Sequence, residues 1–237
     1  MTNLMNKRAL VLGGSRGIGA AIVERLASEG VVTTFTYNRS AENAIDLASR
    51  TNANALQADS SDTAAISQVI AEQGALDILV VNAGMLVMGN PLEIDPEDVD
   101  RMIDINVRGP YHAAVDGARQ MNEGGRIVII GSVNGDRMPF AGGAAYALTK
   151  SAIQGMVRGL ARDFGDRRIT VNSVQPGPVN TDMNPADGPM KDAMHSFMAI
   201  KRHAEPAEIA GMVAYLVGPE ASFVTGAQHT IDGGFGA

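Results

Sequence analysis

The chain has 237 residues, 45% of them hydrophobic and 19% charged, enough to bury a substantial core as one large domain or two small ones. It contains no cysteine, which excludes a disulfide scaffold, a cysteine-ligated zinc and an iron–sulfur centre, and fits a reducing compartment. A net charge of −7 leaves no excess of Lys and Arg to displace counterions from a nucleic-acid polymer.

The opening residues, Met1 to Arg8, carry no apolar signal segment, and no apolar stretch approaches the ~20 residues that span a bilayer, so a cytoplasmic protein without membrane contact is expected. Residues 8–12 form a short buried strand, and 17–29 a helix with Ile18, Ile22, Val23 and Leu26 on one face. A strand rich in β-branched and aromatic residues follows at 31–37, then a helix at 41–50, a strand at 55–58, a helix at 63–72 and a strand at 77–81. One long helix is expected from Pro96 to about Met121, with Asp95 as its N-cap and Pro96 at the first helical position. The remaining elements are a strand at 126–130, a helix at 144–164, a strand at 169–174 and a last strand at 228–231.

Apolar strands separated by helices imply a parallel sheet covered on both faces. The expected architecture is α/β: a Rossmann-type doubly wound parallel sheet of about seven strands in a single domain, 1–237. Residues 176–189 hold four prolines and are expected to form a lid, continuing to about residue 205, rather than a hinge between domains.

In such a sheet ligands bind beyond the carboxyl ends of the strands. Gly13, Asp59, Asn82, Ser132 and Pro176 each follow a different expected strand. The run Gly13-Gly-Ser15-Arg16-Gly17-Ile18-Gly19 leaves a strand and enters a helix, where glycines let the backbone approach a pyrophosphate and the helix start offers free amides. After the second strand an acid would select NAD; this chain has Tyr37-Asn38-Arg39-Ser40 there instead. With Arg16 in the glycine turn and Arg39 beyond the strand, the expected cofactor is NADP(H), whose extra phosphate suits guanidinium groups. Asp59, followed by Ser60, serves either as acceptor for the adenine amino group or as cap of the helix that begins near Asp62. Asn82-Ala83-Gly84 ties strand ends and leaves room for a ribose.

Tyr146 and Lys150 lie four apart, on one face of a helix. A phenol titrates near ~10; a neighbouring ammonium is expected to lower that value and make Tyr146 a usable acid or base. With Ser132 upstream, the set describes a proton donor facing a bound dinucleotide.

Together with Asn106 and Pro176-Gly177, these motifs resemble the short-chain dehydrogenase/reductase family over essentially the whole chain. The turn departs from many members at Gly14. The resemblance implies Tyr146 as general acid/base, Ser132 orienting a carbonyl and Lys150 binding the nicotinamide ribose while lowering the tyrosine pKa. It also implies that Asn106 holds a water of the proton relay and that Val179 and Thr181 lie near the carboxamide. The substrate would be a small-molecule carbonyl or alcohol, and the protein a homodimer or homotetramer using the helix from 144 to 164. Further stretches, among them 131–139 and 218–227, resemble a bacterial member of the family that binds cyclic-di-GMP, which implies that ligand as an alternative. A lesser alternative is a 3-oxoacyl-[acyl-carrier-protein] reductase, for which Arg158, Arg162, Arg167 and Arg168 are candidate carrier contacts.

Arg101-x-x-Asp104 fits a cyclic-di-GMP pattern but is better explained as an ion pair on a helix face. Asp136 and Arg137 either line the substrate mouth or are solvated loop residues. Met183, Met190, Met194, Phe197 and Met198 form an adaptable apolar lining or the buried face of a short lid helix.

Overall fold

Each apolar run becomes a parallel strand, and the strands divide their side chains between two cores. The computed structural model describes residues 4–237; the part of the N-terminal reading that falls on residues 1–3 lies outside them. The strands are β1 (Arg8–Leu12), β2 (Val32–Tyr37), β3 (Asn54–Gln57), β4 (Leu76–Val81), β5 (Met121–Ile130), β6 (Thr170–Pro176) and β7 (Gln228–Ile231), in the spatial order β3-β2-β1-β4-β5-β6-β7. All six pairings are parallel.

The helices are α1 (Gly17–Ser28), α2 (Ala41–Thr51), α3 (Thr63–Glu72), α4 (Pro96–Ile103), α5 (Gly109–Gln120), α6 (Ala144–Asp163), α7 (Lys191–Ser196) and α8 (Pro206–Val217). Because strand side chains alternate, Val11, Val80 and Val128 join α1, α2 and α8 on one face, with Ile22, Leu26, Ile209 and Val213. Leu10, Leu79 and Ile127 point the other way, to Ile70 of α3, Ala114 of α5 and Val157 of α6. Both faces are therefore closed, as the continuous hydrophobic strands require.

Three elements differ from expectation. The long helix is interrupted: α4 and α5 are joined by a π turn at Asp104–Arg108, which carries the buried Asn106. Such an extra residue in a turn typically marks a functional position. The expected helix end at Met121 is instead the start of β5, whose first residues pass through Gly124 at φ +80 with a register shift against β4. Finally, α8 was not expected at all. Its Pro206 sits in the first turn, Glu205 and Glu208 form a reciprocal capping box, and Ile209, Ala210, Val213, Ala214, Leu216 and Val217 are buried.

Helix α1 approaches the sheet so closely that a Cβ on Gly19 would stand 2.1 Å from the Gly13 carbonyl oxygen and 2.6 Å from Asn82 Nδ2. Gly19→Ala is therefore expected to lower unfolding stability by roughly 1–3 kcal/mol or more. Urea denaturation checks this, with Gly165→Ala, where added methyl space is open, as the control that stays close to wild type.

Candidate active site

The glycine turn is fixed by its neighbours rather than by its own residues. Gly13 has φ +79, and a Cβ there would meet the Ala83 backbone at 2.9 Å. Asn82 and Ala83 both donate their backbone N–H to the Leu12 carbonyl, and Asn82 Nδ2 donates to the Gly13 carbonyl at 2.7 Å. From the other side Gly13 N–H donates to Thr36 Oγ1 at 2.9 Å and Gly14 N–H to the Thr36 carbonyl at 2.8 Å. Thr36 was not among the expected residues, since one threonine in a β-branched strand gives no signal of its own. Arg16 is the N-cap of α1 and makes no side-chain cap bond, and the first turn contains no acid. The helix start, from Ser15 through Ile18 to Gly19, thus presents its amides and positive dipole end to an anion.

At the end of β2, Asn38 and Arg39 are exposed while Tyr37 and Ser40 are half-buried. Ser40 is the N-cap position of α2, and its hydroxyl accepts no cap bond. Asp59 accepts from Ser61 N–H at 2.9 Å and Ser61 Oγ at 2.8 Å. Those bonds, the backbone one first, hold its carboxyl below the usual carboxylate range against partial burial, with Asn38 and Arg101 assisting. The capping alternative for Asp59 fails, because Asp62 caps α3 by accepting from Ala64 and Ala65. Ser60 beside it is half-buried against Gly109.

Ser132 leaves β5, is buried, and accepts from Asn134 N–H at 3.1 Å. Its hydroxyl hydrogen-bonds the Tyr146 phenol, which the first turn of α6 delivers. Lys150, one turn on and only 5% exposed, places Nζ 5.8 Å from the Tyr146 ring centroid and donates to the Ile130 carbonyl at 3.2 Å. Burial pushes the lysine down to about 8. The expected lysine-driven lowering of the phenol is not what the site gives. Burial pushes Tyr146 up, and the Ser132 bond is the group that pulls it back. The reason is geometric: Nζ is turned to a strand-end carbonyl, 5.8 Å from the ring centroid, and burial of the phenol is the larger effect.

Asn106 joins the group through backbone. Its Oδ1 accepts from Met85 N–H at 2.8 Å, and its Nδ2 donates to the Met85 carbonyl at 2.8 Å and Thr149 Oγ1 at 3.1 Å. The side-chain amide therefore pins the segment after β4 to α6. Thr149, within the Tyr146–Lys150 run, completes that pin and was not singled out in sequence. Gly84 lies directly above, where an added Cβ would sit 3.5 Å from both Asn106 Oδ1 and Lys150 Nζ.

The lid leaves β6 at Pro176. Gly177 packs on Asp232 too closely for a side chain, at 2.7 Å, and donates to the Ile231 carbonyl. Asn180 N–H donates to the Ala204 carbonyl and Ala204 N–H to the Pro178 carbonyl, so the two ends of the lid are bonded together. The Val179 side chain is buried in the core under α1 and α8, leaving its backbone for a ligand. The Thr181 methyl lies against Gly17, where a Cβ would be 3.1 Å away, and Asp182 stands 3.9 Å from Arg16. Thr181 therefore adjoins the glycine turn.

The secondary candidates separate from this group. Arg101 does not pair with Asp104, which binds Arg108 at 2.6 Å. The Asp136 carboxylate accepts from Gln154 Nε2 at 2.7 Å, while Arg137 donates to the Phe235 and Ala237 carbonyls and lies over the Phe197 ring. Neither is merely solvated, and they do not pair with each other. Arg167 clamps the Ala118 and Met121 carbonyls and Arg168 pairs with Glu123. Arg162 stands in the last turn of α6, roughly 24 Å along the helix from Tyr146 at ~1.5 Å per residue, and Arg167 and Arg168 lie just beyond that end. Of the methionines, Met198 is buried and Met194 packs on it beside Phe197, whereas Met183 and Met190 are exposed. Both sequence alternatives are thus partly realised, with α7 as the short lid helix.

The buried lysine carries a stability prediction. Its folded pKa is depressed, so between about 8 and the unfolded value near ~10.4 the unfolded chain holds a proton that the folded chain has lost. Stability from this group should rise with pH from about 8 toward 10. Urea midpoints across that range should climb for wild type and lose that climb in Lys150→Met; an unchanged slope in the variant would assign the effect elsewhere.

The comparisons with known proteins agree with this geometry. The family model described as enoyl-(acyl carrier protein) reductase matches residues 13–236. The cyclic-di-GMP-binding biofilm dispersal mediator protein of Escherichia coli (strain K12) is 64% identical over 231 residues, covering 98% of each chain. The crystal structure of BdcA in complex with NADPH superimposes with a TM-score of 0.98 at 63% identity, covering 99% of this chain and 96% of that one. A short-chain dehydrogenase/reductase from Serratia marcescens BCRC 10948 does so with a TM-score of 0.98 at 51% identity, covering 99% and 100%. The chain belongs to the short-chain dehydrogenase/reductase family.

Proposed function

We propose that the protein is an NADP(H)-dependent carbonyl reductase in which Tyr146 is the proton donor. The observation that carries this reading is the Ser132–Tyr146 hydroxyl pair, set over buried Lys150 at the same sheet edge as the uncapped start of α1. The residues fit the cofactor: Gly13 and Gly17 hold positive φ where side chains would crowd Ala83 and Thr181, and α1 opens without an acid. Ser15, Arg16, Gly17, Ile18 and Gly19 would hold the pyrophosphate; Asn82, Ala83, Gly84, Tyr146 and Lys150 the nicotinamide side. Pro176, Gly177, Val179 and Thr181 would close over it. Exposed Arg16 and Arg39, with no acid at the end of β2, favour the phosphorylated form of the cofactor. Bound NADPH supplies the hydride.

Ser132 and Tyr146 offer two hydroxyls to the substrate carbonyl oxygen. As negative charge develops on that oxygen, Tyr146 transfers its proton to it, and the Ser132 hydroxyl stabilises the phenolate left behind. A phenol raised by burial stays protonated at neutral pH, which favours reduction over oxidation. Asn106 acts as a positioning residue through Met85 and Thr149. The exposed side of α6, with open space at Gly155 and Gly159 and with Leu148 exposed, supports a homodimer or homotetramer, and a chain without cysteine fits the reducing cytoplasm.

A second reading, binding of cyclic-di-GMP, is supported by the name of the 64% identical relative. The separation of Arg101 from Asp104 lends it no support at that pattern. A carrier-protein substrate is supported by the 3-oxoacyl-[acyl-carrier-protein] reductase MabA of Mycobacterium tuberculosis (strain ATCC 25618 / H37Rv), 33% identical over 239 residues. The candidate arginines add nothing to it, since Arg167 and Arg168 are engaged by carbonyls and by Glu123 beyond the end of α6.

Tyr146→Phe should lower kcat about 10²–10⁴-fold with NADPH affinity unchanged; unchanged turnover on a broad carbonyl panel would remove the acid/base role. Calorimetry of the NADPH-loaded protein with cyclic-di-GMP tests the second reading: saturable heat supports it, and none removes direct binding.

A further inference from the structure

Two apolar groups flank the segments that carry the site, one after β4 and one next to Ser132, and the charged residues beside Ser132 are engaged. The segment after β4 crosses above Lys150 and Asn106, held at Met85 by Asn106 and at Gly89 by its N–H donating to the Gly142 carbonyl at 3.0 Å. Between those two ties Leu86 and Met88 stand 39% and 42% exposed. On the Ser132 side, Phe140, Phe197 and Phe235 form an edge-to-face chain with ring centroids 5.6 and 5.8 Å apart. That chain rests on Val133, next in sequence to Ser132, with Phe140 and Phe197 only partly buried.

A charged substrate would find no receptor here. Arg137 is the cation nearest Ser132 in sequence, and it is engaged by the Phe235 and Ala237 carbonyls and the Phe197 ring. Asp136 is held by Gln154. Over residues 182–192 of the lid, Asp182, Asp187 and Asp192 are exposed against Lys191, and farther along Arg202 is paired with Glu208 while Lys201 and Glu205 are exposed, so the lid offers an anion no net positive field. Edge-to-face rings favour a further ring presented in the same manner.

We infer that the substrate class is a neutral aromatic ketone, with Leu86 and Met88 as specificity-determining residues. The inference rests on the reductase reading above. In the reaction the carbonyl carbon gains a hydride from NADPH and its oxygen a proton from Tyr146, giving a secondary alcohol and NADP⁺.

The test compares 2-acetylnaphthalene with acetoacetate, using butane-2,3-dione as a small neutral reference, on the full-length protein with NADPH. The expected result is a kcat/KM for the naphthyl ketone at least ~10-fold above that for acetoacetate. Leu86→Ala and Met88→Ala should raise KM for the naphthyl ketone several-fold, roughly as lost apolar contact predicts, and leave the dione unchanged. A preference for acetoacetate, or variants that do not move KM for the naphthyl ketone, overturns the inference while dione turnover keeps the reductase reading standing. NADPH binding with no turnover of any of the three overturns the reductase reading and this inference with it.

Discussion

Helix α1 meets the sheet at backbone contact: a methyl at Gly19 would lie 2.1 Å from the Gly13 carbonyl, and the Asn82 amide closes the same gap at 2.7 Å. This approach is the constraint on which the site depends. It sets the helix start directly over the end of β1, so the uncapped amides face the groove where β4 and β5 deliver Gly84 and Ser132. Thr36 repeats the restraint from β2. A turn fixed from three strands can hold positive φ at Gly13 and Gly17 without help from a ligand, so the site is preorganised.

The second requirement is a polar group where the fold would prefer an apolar one. Lys150, Ser132 and Asn106 are all buried at the carboxyl edge, each with a partner that keeps it from being orphaned. Their cost is visible in the direction of the shifts, since burial lowers the lysine and raises the tyrosine. Burial holds the phenol protonated, the state a donor needs. The π turn at Asp104–Arg108 belongs to the same economy of position, because it carries Asn106 on the rung where it meets Met85 and Thr149.

Much of this was legible in the residues. Strand ends followed directly from apolar runs bounded by glycine, asparagine or serine, and the Gly13–Gly19 spacing marked the strand-to-helix turn. Helix α8 escaped because Ala, Gly and Tyr dilute its apolar stripe and its start, Glu205-Pro206, lies beside a proline-rich lid. The break in the 96–121 helix was invisible because a π turn needs no special residue. The partners of Asp136 and Arg137 are 18 and about 100 residues away, so no local pattern could name them. The pKa direction of Tyr146 depended on burial, which spacing alone does not report.

The central claim is that the glycine turn, Arg16 and Arg39 form a site for the phosphorylated dinucleotide beside a ready proton donor. Parallel fluorescence titrations of the unmodified protein with NADPH and NADH test it most directly. The account predicts NADPH binding tighter by about 10-fold or more, roughly one charge-assisted contact, with the gap shrinking in Arg16→Ala and Arg39→Ala. Equal affinities, or a preference for NADH, would contradict it.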